Sequence, residues 1–339
     1  MRLDDNETRI SGARRADVTG WVHGSPRVEE LALPKSLKSC NFTSPRLSSG
    51  GCRMKTQFTF AKIVSRAVLT GKLCLKIGIR PGILLGMSLR KRNPRKYVRL
   101  VPVRVHGFPH PIYLRAGTSD TSTFCQVLMH REYDIRSFPQ FQKLNNLYQK
   151  SKAEGRRPLI IDCGANIGLS AAWFSHLFPE AQIFAVEPDA DNFKVAQRNL
   201  AAYPNVMLLR GAIWDCPKDL AISDTTVDPW AYRTEEVPDG ATGNPDKILK
   251  GFTISEIMGM ADTPRALIVK VDIEGAEASL FRSNIEWVSR TDLIAIELHD
   301  WMLPKQRTSA PFVRSIANLD FEVLQRGENL FVFLDRPDV

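Results

Sequence analysis

The chain has 339 residues, with 46 Lys plus Arg against 37 Asp plus Glu and 43% hydrophobic residues, a composition typical of a globular protein long enough for two domains. Its six cysteines form no CxxC pair and no zinc-type spacing with histidine, so the composition favours neither a disulfide framework nor a structural metal cluster. No run of about 18 apolar residues occurs and the first residues are polar and charged, which predicts a cytoplasmic protein without a secretory signal or membrane span.

Positive charge is concentrated in the first third of the chain. Between Leu31 and Ser119 the sequence contains 18 Lys or Arg and no Asp or Glu; because the whole chain carries +9, the remainder carries −9. A basic region of this kind suits anionic partners such as lipid headgroups, nucleic acid or polyanionic glycan, and a solvated tail is the alternative.

Two segments precede the first predicted strands. Residues 1–53 mix charges with Ser, Gly and Pro without a sustained apolar period, which predicts a disordered extension. In residues 54–96, four Lys or Arg between positions 62 and 76 lie among apolar residues, which predicts a basic amphipathic helix broken between Gly78 and Gly82. This helix can pack on the body of the protein. Alternatively, residues 55–100, with 12 Lys or Arg and no acid, can dock on an anionic membrane, at the inner membrane surface.

Residues 97–157 are predicted to lead into the main fold. Two alternating segments, YVRLVPVRVHG and IYLRAG, flank FPHP at 108–111, a pattern that predicts a hairpin of strands. The following TSDTSTFCQVLMHREYD begins with a capping signal at Asp120 and continues with a helical apolar pattern. We therefore expect an N-terminal hairpin and a helix before residue 158.

Residues 158–339 alternate short apolar runs with helical segments, which predicts an α/β fold with helices on both faces of a mostly parallel sheet. The strand candidates are PLIIDCG, AQIFAVEP, NVMLLRGAIWD, RALIVKVDIEG and TDLIAIELHD. The helix candidates are LSAAWFSHLF, DADNFKVAQRNLAAY, FTISEIM, AEASLFRSN and FVRSIANLD. The closing FEVLQRGENLFVFLD predicts an antiparallel hairpin at the sheet edge, which completes a seven-stranded sheet.

The first strand ends in the turn DCGANIG (162–168), directly before a helix. In such a sheet, ligands bind beyond the carboxyl ends of the strands, and a glycine-rich turn lets a cofactor approach the backbone. A dinucleotide would favour GxGxxG, whereas here an acid precedes only two glycines. An acid suits the cationic S-adenosylmethionine, which Asp162 can hold directly or through water. A tight turn without a ligand is the structural alternative.

The second strand ends at Glu187, where a carboxylate can accept both hydroxyls of an adenosine ribose. Capping of the helix that begins near Asp189 is the alternative. The third strand ends in GAIWD (211–215), where small residues such as Ala212 can admit a flat base or merely relieve packing. Together these features predict an S-adenosylmethionine site formed by Asp162, Gly164, Asn166, Gly168, Glu187 and Ala212.

The fourth and fifth strands end in KVDIEGAE (270–277) and ELHD (297–300). Acids facing Glu-x-His can position an acceptor hydroxyl, supply a base or bind a divalent metal. We assign Asp272, Glu274 and His299 as catalytic residues. His299 is expected to accept the hydroxyl proton because imidazole titrates near neutral pH, while nearby carboxylates would raise its pKa and hold its orientation. No residue is assigned to a metal, but a divalent ion on these three side chains is an alternative scheme. In the structural alternative, Glu277 begins a helix while Lys270 or His299 satisfies a carboxylate.

In this order, IDCGANIGLS, AVEPD, GAIWD, KVDIEGAE and IELH resemble the FkbM family of S-adenosylmethionine-dependent methyltransferases, over residues 97–336 and including YLRAGTSDTSTF. DPWAYR (228–233) resembles the acceptor-side insertion of that family. The resemblance implies a Rossmann-like class I methyltransferase fold with Asp162, Gly164, Gly168 and Glu187 around the cofactor. It also implies O-methylation of a hydroxyl on a sugar or another metabolite.

The sequence thus predicts an S-adenosylmethionine-dependent O-methyltransferase whose partner is a small-molecule or glycan acceptor, namely a carbohydrate, glycolipid or secondary metabolite. Trp230 and Tyr232, in the insertion 219–251, can stack on a sugar ring or simply pack. Nucleic acid is disfavoured as acceptor because no Asn/Asp-Pro-Pro-Tyr/Phe follows the fourth strand and Cys216-Pro217 reverses the Pro-Cys order of cytosine C5 enzymes. A binding or regulatory protein that keeps the fold without turnover is the alternative outside enzymology.

Overall fold

The structure is a computed structural model that describes residues 67–75, 77–88, 99–222, 234–236 and 248–335. The predicted extension 1–53 and the aromatic pair Trp230 and Tyr232 lie outside the described residues. Within these ranges every helix is too short or too polar to cross a lipid bilayer.

The regular elements alternate between strands and helices for most of the chain. In chain order they are α1 (67–75), α2 (Ile79–Ser88), β1 (Leu100–Val103), β2 (Ile112–Arg115), α3 (Asp120–Phe124), α4 (Phe141–Ala153), β3 (Leu159–Cys163), α5 (Leu169–Leu177), β4 (Gln182–Glu187), α6 (Ala190–Leu200), β5 (Val206–Arg210), β6 (Ala212–Ile213), β7 (Asp219–Ile222), β8 (Thr234–Glu236), β9 (Ile248–Phe252), α7 (Ile254–Met260), β10 (Ala266–Val271), α8 (Glu277–Leu280), β11 (Thr291–Glu297), α9 (Ala310–Ile316), β12 (Phe321–Arg326) and β13 (Asn329–Leu334). Short helical turns cover Cys125–Met129, Ile135–Ser137 and Val288–Arg290.

A seven-stranded sheet with the order β12-β13-β11-β10-β3-β4-β5 forms the centre of the fold. β5, β4, β3, β10 and β11 are mutually parallel, while β13 runs antiparallel to both β11 and β12. This arrangement confirms the predicted mostly parallel sheet with an antiparallel C-terminal hairpin. Asp162 on β3 pairs in register with Lys270 on β10 and Ala185 on β4, so these three strands end at the same edge.

Helices cover both faces of the sheet because the side chains of its central strands alternate between two apolar cores. On β3, Ile160 belongs to one core, whereas Leu159 and Ile161 belong to the other. The first core also contains buried residues of α4, α5 and α6, and the second contains those of α7, α8 and α9. A strand that is apolar on both sides is what parallel α/β sheets require.

The predicted third strand, NVMLLRGAIWD, is divided in the structure. β5 ends at Arg210, and after Gly211 the short strand β6 joins a second, four-stranded sheet of order β6-β9-β7-β8. A Cβ on Gly211 would lie 2.4 Å from the carbonyl oxygen of Lys250, so the chain can change sheets here only with glycine. The prediction of one continuous strand was wrong at this position.

The lead-in contains the predicted antiparallel hairpin, β1 with β2, but the predicted cap at Asp120 was wrong. Ser119 is the N-cap of α3, and no side chain caps that helix. The carboxylate of Asp120 is instead fully buried and accepts hydrogen bonds from the guanidinium and backbone N–H of Arg115. The guanidinium also donates to Asn192 Oδ1 on α6, which ties the lead-in to the main sheet domain.

The basic segment forms two helices, α1 and α2, separated at Gly78, where φ is +92°. The break lies at the start of the predicted interval. Leu73, Ile77 and Leu85 are buried in the same core as β1 and β2, so this segment packs on the body of the protein. Four apolar side chains nevertheless remain exposed on these helices: Val68, Leu75, Ile79 and Ile83.

Candidate functional site

The turn after β3 depends on two glycines in the left-handed backbone region. Gly164 has a φ of +80°, and a Cβ there would lie 1.9 Å from the carbonyl oxygen of Asp272. Gly168 has a φ of +83°, and a Cβ there would lie 2.9 Å from the side chain of Leu200. The glycines therefore let the turn approach β10 and let α5 pack against α6, because any side chain would hold these elements apart.

Glu187 ends β4 and its carboxylate accepts several hydrogen bonds. The backbone N–H of Asn166 donates to Oε2 at 2.7 Å, and Oε1 accepts from the backbone N–H of Asp189 at 3.0 Å and from Asn192 Nδ2 at 3.4 Å. Burial raises the pKa of Glu187 to about 8, and the N–H donors offset only part of that effect. Oε2 keeps one lone-pair site for a further donor.

Asp189, rather than Glu187, caps α6. Its side chain accepts from the backbone N–H groups of Asp191 and Asn192. The capping alternative therefore applies to Asp189, and Glu187 instead joins the glycine turn to the start of α6.

A cleft opens at this edge of the sheet, beyond the carboxyl ends of β3, β4 and β10, where parallel α/β sheets bind their ligands. Six of the nine residues predicted from the sequence as site residues line it: Gly164, Asn166, Glu187, Ala212, Asp272 and Glu274. The other three site residues, Asp162, Gly168 and His299, are buried and do not line the cleft. The cleft thus brings the predicted cofactor residues beside two of the predicted acceptor-side acids.

Asp162 is fully buried and paired with Lys270, which is itself 2% exposed. Lys270 Nζ lies 3.1 Å from Asp162 Oδ1 and donates to the carbonyl oxygen of Gly164 at 2.7 Å, while Ser170 donates to Asp162 Oδ2. Because Asp162 is buried behind the cleft lining, the prediction that it holds the cofactor directly or through water stays a prediction. The carboxylate holds the glycine turn in place through Lys270.

Lys270 also connects the turn to the acceptor side of the site. Its Nζ lies 3.4 Å from Asp272 Oδ2. Burial by itself favours the neutral amine, but Asp162, Tyr133 and Asp272 keep the pKa of Lys270 well above its ordinary value. The side chain is therefore a buried cation shared by two acids, one on each side of the turn.

His299 lies at the centre of an acidic cluster formed by Asp272, Glu274, Glu277 and Glu297. Its Nδ1 is 2.8 Å from Glu277 Oε1, and both side chains are almost fully buried. On the other side of the ring, Nε2 lies 3.5 Å from Glu297 Oε1, 3.6 Å from Glu274 Oε2 and 3.8 Å from Asp272 Oδ1. The structure thus brings together Asp272, Glu274 and His299, as the sequence predicts.

The acidic neighbours change the titration of this histidine. Burial favours the neutral ring, but the interactions with Glu277 and Glu297 and the charge of Asp272 outweigh it and raise the pKa of His299 to about 11. Burial, followed by the charge of Asp272, raises the pKa of Glu274 to about 8. At neutral pH these acids favour the protonated ring, which would have to lose a proton before it could act as a base, so the assignment of His299 as the base stays a prediction.

Three contributors to the site were missed as site residues in the sequence. Glu277 fixes the His299 ring, Lys270 fixes the glycine turn, and Asn192 contacts both Glu187 and Arg115. The signal for Lys270 was a single charge within the apolar run ALIVKV. Glu277 and Lys270 also satisfy the structural alternative, since Glu277 begins α8 and Lys270 pairs with a buried carboxylate.

Comparison with known proteins yields a domain match and several similar proteins. Residues 162–323 match the family described as methyltransferase FkbM domain. Hexuronic acid methyltransferase AglP of Haloferax volcanii is 25% identical over 174 residues, which cover 50% of this chain and 68% of that protein.

Two solved structures illustrate the structural similarity. Precorrin-6y C5,15-methyltransferase from Geobacter metallireducens is 15% identical, with 53% of this chain and 80% of that chain covered and a TM-score of 0.29. Fibrillarin from Aeropyrum pernix, with natively bound S-adenosyl-L-methionine, is 12% identical, with 53% and 67% covered and a TM-score of 0.30. Residues 162–323 thus match the methyltransferase FkbM domain, and they lie on the mostly parallel, seven-stranded α/β sheet that the sequence predicts.

Proposed function

We propose that the protein is an S-adenosylmethionine-dependent methyltransferase that O-methylates a hydroxyl of a carbohydrate, glycolipid or secondary metabolite. The observation that carries the proposal is a single cleft in which Gly164, Asn166 and Glu187 line one part and the acids Asp272 and Glu274 line another. A cofactor and an acceptor bound in these two parts would be neighbours, which is what direct group transfer requires.

The residues of the cleft fit an adenosine cofactor. Glu187 is held by the N–H of Asn166 and keeps a lone-pair site on Oε2, so its carboxylate can accept a ribose hydroxyl. Gly164 brings backbone rather than a side chain to the cleft wall, which leaves room for a ligand. Ala212 and Ile213 supply a small and an apolar surface for a flat base.

The chemistry is a displacement at carbon. Bound S-adenosylmethionine would supply an electrophilic methyl group, which an acceptor oxygen takes with its lone pair while the C–S bond breaks and sulfur keeps the bonding electrons. The chain's own residues position the acceptor beside the methyl group, and this orientation accounts for much of the acceleration in such reactions. The acceptor proton leaves to water.

A sugar acceptor is favoured by two observations. The acceptor-side acids can accept hydrogen bonds from several hydroxyl groups, which polyhydroxylated ligands carry. The similar protein AglP is named a hexuronic acid methyltransferase, and hexuronic acids are sugars. By contrast, the acids beside the cleft would repel the phosphates of a nucleic acid.

The proposal is tested by incubating the full chain with S-adenosylmethionine carrying a labelled methyl group and with glycan, lipid, DNA and RNA fractions. We expect label in a glycan or glycolipid fraction. At pH 8.5, where Glu187 is ionised, Glu187→Gln should lower transfer at least tenfold at subsaturating cofactor, because the ribose loses a charged acceptor. Asp191→Asn is the matched control, since that carboxylate is 76% exposed near the same helix start.

Two results would contradict the proposal. Label in DNA or RNA but not in glycan or lipid would overturn the choice of acceptor. Tight binding of S-adenosylhomocysteine without transfer to any fraction would indicate a binding or regulatory protein instead of an enzyme.

A further inference from the structure

His299 Nε2 is a deeply buried polar atom directed at three carboxylates. The histidine side chain is 2% exposed, and the distances from Nε2 to Glu297, Glu274 and Asp272 are 3.5, 3.6 and 3.8 Å. Each distance exceeds the 2.7–3.2 Å of an ordinary hydrogen bond. The ligand atoms of Asp272, Glu274 and His299 all lie within 4.8 Å of one another, so small side-chain movements would bring them around one ion.

Glu277 gives the ring the orientation that a metal ligand needs. Its Oε1 lies 2.8 Å from Nδ1 of His299, and the Glu277 side chain is fully buried. With the Nδ1 proton donated to Glu277, a cation that displaces the Nε2 proton would meet a lone pair that points away from Glu277, towards the other three acids. A histidine that binds a metal through one ring nitrogen usually donates the N–H of the other ring nitrogen to a carboxylate. This hydrogen bond fixes the tautomer and raises the basicity of the ligand.

The charge at this edge also favours a cation. Asp272, Glu274, Glu277 and Glu297 surround one imidazole, and the charges of Glu132 and Glu328 add to the potential there. The one lysine against the cluster, Lys270, is shared with Asp162. Among the described residues, the acids facing His299 therefore outnumber the basic groups, and a divalent ion would offset the repulsion between them.

We propose that Asp272, Glu274 and Nε2 of His299 bind a divalent cation of the Mg²⁺ or Mn²⁺ class, with Glu297 as a further oxygen donor. The donor set is mainly hard carboxylate oxygen with one imidazole, which suits these ions better than the sulfur and nitrogen sets typical of structural zinc. The proposal extends to the acceptor, and this part rests on the proposed function. Because Asp272 and Glu274 line the cleft, the open coordination positions of the ion face the acceptor.

This geometry defines the acceptor class more narrowly. A cation with open neighbouring positions chelates two adjacent oxygens, so the favoured acceptors carry a vicinal diol or a hydroxyl next to a carboxylate. The cation would lower the pKa of the coordinated hydroxyl, whose proton then leaves to water before the oxygen attacks. It would also neutralise the acids that otherwise repel a carboxylate-bearing sugar.

The test is a titration of the full chain with Mn²⁺, followed by electron paramagnetic resonance of the free ion. We expect one bound ion per chain and displacement by excess Mg²⁺. Glu274→Gln and His299→Gln should weaken binding by about 10- to 100-fold. Glu328→Gln, which removes a nearby exposed charge that is not a proposed ligand, should change it much less.

A measurement that needs no variant is thermal unfolding of the wild-type protein. A ligand that binds only the folded state raises the melting temperature with its concentration, so Mn²⁺ should raise it and a chelator should reverse the shift. Absence of both Mn²⁺ binding and this shift would overturn the proposal. Equal Mn²⁺ binding by wild type and folded Glu274→Gln and His299→Gln would also overturn it, because the ion would then bind elsewhere.

Calorimetry with S-adenosylhomocysteine separates this inference from the proposed function. If S-adenosylhomocysteine binds and Mn²⁺ does not, the cation site is wrong and the proposed function stands. If Mn²⁺ binds as expected but S-adenosylhomocysteine does not, the proposed function and the acceptor role of the ion are wrong, while the cation site stands.

Discussion

At the scale of single residues, Glu187 is both deeply buried and hydrogen-bonded, and these two features have opposite effects on its pKa. The side chain is 4% exposed, yet three N–H groups of the turn and of α6 donate to it. These donors offset only part of the effect of burial, so the pKa of Glu187 remains at about 8. Its protonation should therefore respond to a ligand that donates hydrogen bonds.

The first prediction is that cofactor affinity rises with pH. Because the pKa of Glu187 is raised to about 8 and the ionised form is the better acceptor, S-adenosylhomocysteine should bind roughly tenfold more tightly at pH 8.5 than at pH 6.5. Calorimetry across this range measures the effect. Glu187→Gln should flatten the profile, and an unchanged profile in that variant would assign the pH dependence to another group.

The raised pKa of Glu187 has the opposite effect on the stability of the fold, which decreases as pH rises. The pKa of Glu187 is raised on folding, so the cost of burying its charge is absent below about pH 4.5 and complete above about pH 8. Its contribution therefore lowers the free energy of unfolding as pH rises between these values. Bound cofactor should reduce this loss.

The second prediction concerns the buried pair of Lys270 and Asp162. Lys270→Met leaves the Asp162 carboxylate buried without its cation, so the free energy of unfolding should fall by about 3–5 kcal/mol. Adding Asp162→Asn should restore part of this loss. Chemical denaturation measures both changes.

The control for this pair is Lys194→Met. Lys194 and Asp191 form an exposed ion pair on α6, and exposed ion pairs contribute about 0–1 kcal/mol to the free energy of unfolding. If Lys270→Met costs no more than Lys194→Met, the buried pair does not hold the turn as described.

At the scale of secondary-structure elements, the turn after β3 connects the cofactor side of the cleft with β10. Gly164 lies against the carbonyl of Asp272, so the two strand ends approach each other more closely than side chains would allow. The position of the acceptor-side acids therefore depends on a backbone contact at the cofactor turn.

The third prediction is that Gly164→Ala damages both stability and cofactor binding. The added Cβ would meet backbone and would sit at a φ of +80°, so we expect a loss of about 2 kcal/mol or more and weaker S-adenosylhomocysteine binding. Gly259→Ala on α7 is the matched control, because no atom lies within 4 Å of its Cβ. There alanine should stabilise the helix by about 0.5–1 kcal/mol. Equal changes in stability for the two alanine variants would contradict the close approach of Gly164 to the Asp272 carbonyl.

The helices α1 and α2 bury one apolar face and expose another. Leu73 and Leu85 are in the core, whereas Leu75 is 89% and Ile79 71% exposed, next to the exposed Lys72. Packing on the body therefore does not use all the apolar surface of the basic segment. The expectation of docking on an anionic membrane remains a proposal.

The fourth prediction is that the full chain binds anionic vesicles. Each cation near the surface contributes about 1 kcal/mol, so co-sedimentation should be stronger with phosphatidylserine than with neutral lipid and should weaken with salt. Leu75→Gln should reduce binding, while Val313→Gln, on the exposed side of α9, should not. Negligible sedimentation with both vesicle types would leave the segment as a packing element.

At the scale of the whole molecule, sequence patterns predicted the sheet because apolar runs on central strands and helical periods are local signals. The same patterns predicted that Asp272, Glu274 and His299 would meet, since parallel strands end at one edge. They failed at Asp120, which pairs with Arg115 instead of capping α3, and at Gly211, where the chain leaves the main sheet to meet β9. They also did not identify Lys270 as the buried partner of Asp162.

The surroundings of His299 likewise could not be predicted from the sequence alone. The sequence identifies an imidazole at a strand end, and the ordinary pKa of that group suggests a base. The sequence also predicts that nearby carboxylates raise the pKa of His299, but only the fold shows that Glu277 and three further acids surround the ring and raise it to about 11. The number of acids that reach one ring cannot be read from their spacing along the chain.

The measurement that tests the account most directly is calorimetric titration of the full chain with S-adenosylhomocysteine and, separately, with NAD and NADP. The account predicts one S-adenosylhomocysteine per chain, affinity lowered at least tenfold by Glu187→Gln but not by Asp191→Asn, and no heat of binding with either dinucleotide. Binding of NAD or NADP, or S-adenosylhomocysteine binding that Glu187→Gln leaves unchanged, would contradict the assignment of this cleft as the cofactor site.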